Sequence, residues 1–235
     1  MMTEKEIFKN KALSATLLLT ATMAIFFIAS VIEQGLIDYD LSSMYISFCS
    51  GFVLFIPLVS LALHPLLFKN VEDKQGKKSV IFVNVGLVLI VQSLFFLIWI
   101  TDAIAIYSIY VDSNSFLAKA FNISSSNSGE FSQEFYWANL LLAWLFAYLS
   151  VVVGILPCLI ARLKNLGVVG NFVSAFQYAK ENKLSLAVYT FCLAFSAIMP
   201  LMYMRYLFLI LFPLTLIWVF INIANGYLNR HPLKP

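Results

Sequence analysis

Apolar residues run along this chain in five long blocks separated by short polar stretches. About 20 consecutive apolar residues, wound as a helix, cross the hydrocarbon core of a bilayer. The blocks are therefore read as transmembrane segments. The first covers 12–32 and the second 44–68, with Pro57 and Pro65 inside it. The third is strongly apolar over 79–101 and weaker toward Tyr110. The fourth covers 135–160, with Pro157 near its end. The fifth block, 184–224, is too long for one crossing. Pro200 and Arg205 place a tight turn within it, giving helices over 184–200 and 206–224. Proline within such helices is tolerated and kinks them.

Composition agrees with this reading. The chain has 235 residues, of which 61% are hydrophobic and only 11% charged. A soluble domain is nearer one quarter charged, so the excess apolar surface must face lipid. The length suits a single helical bundle spanning residues 1–235.

Charge orients the bundle. One set of connections carries Lys5, Lys9, Lys11, Lys69, Lys74, Lys77, Lys78, Arg162, Lys164, Lys180, Lys183, Arg230 and Lys234, which is 13 of the 15 basic residues. The other set carries only Lys119 and Arg205, with Glu33, Asp38, Asp40, Asp112, Glu130 and Glu134. Basic loops stay in the cytoplasm. The alternation predicts six crossings with both termini inside, and a five-helix reading breaks it. Tyr39, Tyr45, Trp99, Tyr107, Tyr110, Tyr136, Trp137, Tyr203 and Tyr206 fall near the expected outer interface, where such rings sit well. The fold class expected is an all-α polytopic membrane bundle.

Two connections are longer than turns. The outer loop holds Ser124, Ser125, Ser126, Asn127, Ser128 and Gly129, a run expected to be mobile. It also holds the formal sequon Asn122-Ile123-Ser124, a motif with a high false-positive rate. In the inner connection, Asn171 is placed to cap a helix in which Phe172, Ala175, Phe176 and Ala179 recur at helical spacing. Lys180 and Lys183 close it, where positive charge suits the helix dipole. Segment 171–183 reads as an amphipathic helix on the cytoplasmic membrane surface, or else as an extension of the fifth spanning helix.

Polar residues within the membrane are the candidates for function. The third segment holds Asn84, Gln92 and Asp102. At about 100° per residue, Asn84 and Asp102 share a face and Gln92 lies roughly 80° away. That polar side serves interhelical hydrogen bonding, a substrate or ion path, or a partner-subunit contact. Asp102 and Arg205 fall at one depth near the outer boundary. An ion pair between them is expected, unless each reaches interfacial water. His64 lacks an acidic or cysteine neighbour and is not expected to bind metal. His231 is expected to be solvated, and Asn139 and Asn222 to be packing contacts. Cys49, Cys158 and Cys192 stand alone in apolar runs, as small buried hydrophobes.

No phosphate loop, HExxH, GxSxG, heme-type histidine pairing, voltage-sensor row or internal repeat occurs. A net charge of +3 is too weak to argue for nucleic acid. No catalytic residue, cofactor or metal site is therefore expected. The partners expected are the lipid bilayer and one or more proteins within it.

Leu156, Pro157 and Cys158, followed by Ala175, Phe176, Ala179, Lys180 and Asn182 and then the helix from Leu184, form a pattern over 151–194. That stretch resembles small bacterial inner-membrane proteins of the YciC-like type. The resemblance implies a six-helix inner-membrane protein and little about activity. The functional expectation is a non-enzymatic accessory or assembly subunit of a larger inner-membrane complex. The alternative is a small transporter or channel subunit with a polar path along the third helix.

Overall fold

The computed structural model describes residues 11–39, 41–67, 75–110, 131–164 and 166–230. The sequon, the serine run, Lys5, Lys9 and His231 lie outside them. Among the described residues seven helices follow in order, with a 3-10 turn at Ser42–Met44 before the second. They are α1 (Lys11–Asp38), α2 (Tyr45–Leu66), α3 (Gln75–Tyr110), α4 (Phe135–Lys164), α5 (Val168–Glu181), α6 (Lys183–Tyr203) and α7 (Arg205–Arg230). Six of these are long and apolar enough to cross a membrane, α3 doing so over Val80–Ala105. The chain is a multi-pass helical membrane protein.

Most helices run a turn beyond their expected ends, because backbone hydrogen bonding continues past the hydrocarbon core into the interface. The expected turn at Pro200 is displaced. Helix α6 runs through Pro200 to Tyr203, and the chain turns at Met204, whose N–H donates to the Pro200 carbonyl at 2.8 Å. Proline removes one donor but leaves its own carbonyl free to accept.

Helix α2 is the centre of the bundle. Its apolar window is 67% buried, against 17% for both α1 and α3. It is also the least regular element, alternating α-helical turns with 3-10 turns at Val53–Phe55 and Leu61–Leu66. Pro57 explains part of this. It has no N–H to offer the Val53 carbonyl one turn earlier. The backbone tightens to a 3-10 turn there, in which the Ile56 N–H donates to that carbonyl, and the Ser150 hydroxyl of α4 donates to it as well at 3.1 Å. Ser60 caps the Pro57 carbonyl at 2.7 Å.

Helix α4 is irregular at the facing position. Ser150–Ile155 forms a π-helical turn, in which the Leu156 N–H reaches back five residues to Val151. The next residue, Pro157, brings no donor. Gly154 within that turn faces Pro57, and a Cβ built on it would overlap the Pro57 ring. The two broken helices thus meet through a glycine, closer than any side chain allows.

Three further side-chain donors tie neighbours by their carbonyls. Trp99 Nε1 reaches Ser47 at 2.9 Å, the Ser50 hydroxyl reaches Asn139 at 3.0 Å, and Trp144 Nε1 reaches Ala187 at 3.0 Å. Trp99, Tyr45 and Tyr107 accordingly turn inward and do not join an interfacial belt, whereas Tyr39, Tyr203, Tyr206 and Trp137 are exposed as a belt requires.

Gly154→Ala should cost about 1–3 kcal/mol by overpacking. Gly35→Ala, where nothing lies within 4 Å, should match or exceed wild type. Thermal unfolding in mild detergent reads both. Equal melting temperatures for the two variants would count against the Pro57–Gly154 junction.

Candidate functional site

The inward stripe of α3 is Asn84, Val88, Gln92, Trp99 and Ala103, all buried. On an ideal helix these span an arc of about 100°, with Asn84 at one edge. Asp102 shares that edge in angle, as its spacing requires, yet it is exposed. Depth separates the two. At the basic end, residues Leu156–Lys164 of α4 pack on α3 and cover the edge. Near Asp102 it is uncovered.

Gln92 lies twelve residues from Val80 and thirteen from Ala105, the middle of the crossing. Its side chain is fully buried, and its Nε2 lies 3.3 Å from the Cβ position of Gly154. Its carboxamide thus abuts the junction of the two broken helices. Neither of its polar atoms has a hydrogen-bond partner in the protein. Asn84 is also fully buried and donates to the Val80 carbonyl of its own helix at 2.8 Å, leaving Oδ1 without a partner. Asn139 does the same, donating to Phe135 at 2.8 Å. Asn222 donates to Trp218 at 2.7 Å. These amides turn back on their own helices.

The expected ion pair is corrected. Arg205 binds Glu33, not Asp102. Helix α1, not α3, packs against α7, so the carboxylate that reaches the start of α7 comes from α1. Glu33 falls between Ala29 and Leu36 on the inward stripe of α1, which begins with Ser14, Leu18 and Thr22. That stripe is readable in the sequence, but only if the first helix continues past residue 32.

A separate short helix is present here, distinct from the fifth spanning helix, and its details are revised. Helix α5 begins at Val168, after Gly167 at φ 78°, a left-handed conformation that glycine adopts freely. Asn171 therefore caps nothing. It lies inside the helix, fully buried, with both amide atoms lacking a partner in the protein. The expected single apolar face divides in two. Ala175 and Ala179 turn inward with Tyr178, while Phe176 turns outward and Phe172 lies at the margin. Lys180 and Lys183 are exposed. Burial raises the Tyr178 phenol above its ordinary pKa, and the nearby Arg230 partly opposes this. Tyr178 meets Tyr227 edge-on at 5.8 Å, and its hydroxyl occupies the space over Gly226.

His64 is buried beside Phe220, with Nε2 unpartnered in the protein. Cys49 and Cys158 are buried and Cys192 half-buried, all free. Among the described residues, no three His, Cys, Asp or Glu side chains gather in a metal-binding group.

Glu33→Ala should lower stability more than Arg205→Ala, because it leaves the guanidinium uncompensated at a positive helix end, with a coupling of about 0.5–1 kcal/mol in the double variant. Asp102→Ala should leave stability unchanged. A thermal double-mutant cycle checks this, and coupling of Arg205 to Asp102 would reverse the assignment.

No protein-family model, curated protein or solved structure matches this chain.

Proposed function

We propose that the chain is a non-enzymatic component of a larger membrane assembly, serving as an accessory or assembly subunit. The observation that carries this reading is the bareness of α1 and α3. These helices flank α2 and each bury only 17% of their apolar windows. Phe27 and Phe82 stand 69% and 83% exposed. Gly35 on α1 and Gly86 on α3 open onto space with nothing within 4 Å. Glycines on a membrane helix let another backbone approach closely, where dispersion and weak hydrogen bonds add up without a hydrophobic driving force. The tight Pro57–Gly154 contact beside Gln92 supports the same reading, since a route for solute along α3 needs that junction open.

Photo-crosslinkers at Phe27 and Phe82 in intact membranes should capture protein partners, and mild-detergent purification should retain them. Crosslinks to lipid alone, with a monodisperse lone chain, would sink the proposal.

A transporter or channel subunit is the second reading. It is favoured by one observation, the midplane carboxamide of Gln92 with both atoms unpartnered in the protein. Gln92→Leu separates the two. Removing a buried polar group without partners, for an apolar one of similar size, is neutral or stabilising. On the accessory reading the melting temperature should hold or rise and partner retention should persist. Solute flux in proteoliposomes that Gln92→Leu abolishes would establish the transport reading instead.

A further inference from the structure

Helix α5 has two working faces. One is buried, with Ala175, Tyr178 and Ala179 on it, where α5 packs on α4 and Tyr178 meets Tyr227 of α7. The other is apolar and uncovered, with Val169, Val173 and Phe176 at 76%, 49% and 53% exposure. At about 100° per residue these three lie within an arc of roughly 60°, and Lys180 falls inside the same arc at the end of the helix. Lys183 follows directly, after the break at Asn182. Next in the chain, at the start of α6, Leu184, Val188 and Phe191 are exposed as well. Exposed apolar residues at the end of a spanning helix suit the lipid boundary, and the α5 stripe adjoins them in the chain.

Charge on this rim is one-sided. Glu181, the acid between the two lysines, is engaged by Arg230 at 2.7 Å. Lys164 lies over the Tyr227 ring at 5.9 Å. Lys180 and Lys183 remain exposed beside the apolar stripe. Long lysine stems suit this place, since they lie along apolar surface while the ammonium reaches the headgroup layer.

We propose that the outward face of α5, with Lys180 and Lys183, is a binding surface for anionic lipid headgroups. Val169, Val173 and Phe176 enter the acyl boundary and fix the helix at headgroup depth. The lysines then select phosphate-bearing headgroups with net negative charge. Because Tyr178 and Glu181 on the same helix touch α7 through Tyr227 and Arg230, lipid held on one face steadies the contact on the other.

Native mass spectrometry of the full chain, titrated with phosphatidylglycerol or phosphatidylcholine, tests the selection. Wild type should favour phosphatidylglycerol. Lys180→Gln should reduce that preference by up to about fivefold, and the Lys180→Gln/Lys183→Gln pair by up to roughly thirtyfold. Lys180→Arg should retain it. The preference should fall with added salt, and millimolar inorganic phosphate should not displace the lipid. Equal affinity for the two lipids, or an unchanged preference in the paired variant, would overturn the proposal. So would displacement by phosphate, which would point to a free-anion site. Both lysines are exposed, so the paired variant should melt like wild type in neutral detergent, confirming that it folds. A nitroxide at Val173→Cys, read in vesicles, tests the face itself. It should be accessible to oxygen and protected from a water-soluble nickel relaxant. Protection from both would mean that a protein covers the stripe, and accessibility to nickel that water does; either refutes lipid contact.

Discussion

The bundle depends on the place where Pro57 of α2 meets Gly154 of α4. Each helix is broken there, and each break would leave backbone polar groups stranded in hydrocarbon. Unpaired backbone groups in lipid cost several kcal/mol each, so breaks survive only where a neighbour repairs them. At the Val53 carbonyl the Ile56 N–H and the Ser150 hydroxyl share that repair. The π-turn carries Leu156 N–H back to Val151 just ahead of the donorless Pro157. The absence of a Cβ at Gly154 lets the repair happen at backbone distance. The other ties from α2, Trp99 on Ser47 and Ser50 on Asn139, lie on the same side of Pro57 and rely on the alignment it sets.

This explains why so much of the membrane plan is legible in the sequence and so little of the interior. Length, apolarity and basic-residue alternation are one-dimensional quantities, and the bilayer is a one-dimensional constraint. They give six crossings directly. Which face of each helix points inward needs contrast around the helix, and spanning helices are apolar all round. In α1 the inward stripe is marked by small and hydroxyl residues, Ser14, Thr22 and Ala29, not by greater hydrophobicity. Glu33 belongs to that stripe, but the apolar run ends before it. Asp102 was the more conspicuous acid, embedded in apolar sequence, yet it is exposed at an uncovered edge. Angle along a helix can be computed from spacing; which neighbour covers that angle cannot.

The same limit divides the amphipathic helix. Phe172, Ala175, Phe176 and Ala179 read as one face when the environment assumed is a membrane surface with water opposite. In the fold, α4 lies on one side and uncovered space on the other, so Ala175 and Ala179 go to the buried side and Phe176 outward. Ala175 and Ala179 let α5 approach closely, and Phe176 lies away from the contact.

Helix α7 shows how the two ends of the bundle differ. It begins with Arg205 and ends with Arg230. Its dipole places partial positive charge at Arg205 and partial negative charge at Arg230. Arg230 is therefore favoured where it stands, and its pair with the exposed Glu181 adds little. Arg205 is opposed by its own helix, and Glu33 offsets that opposition from a less exposed position. One carboxylate thus neutralises both the guanidinium and the positive helix end, while holding α1 to the α6–α7 turn. Between the two arginines, Phe208, Phe212, Leu216, Phe220, Ile223 and Tyr227 form a continuous buried stripe. Packing along that stripe holds the helix in the bundle. The charges at its ends set how α1 and α5 attach to it, and those attachments are the parts of the fold most open to change by salt or by the lipid around them.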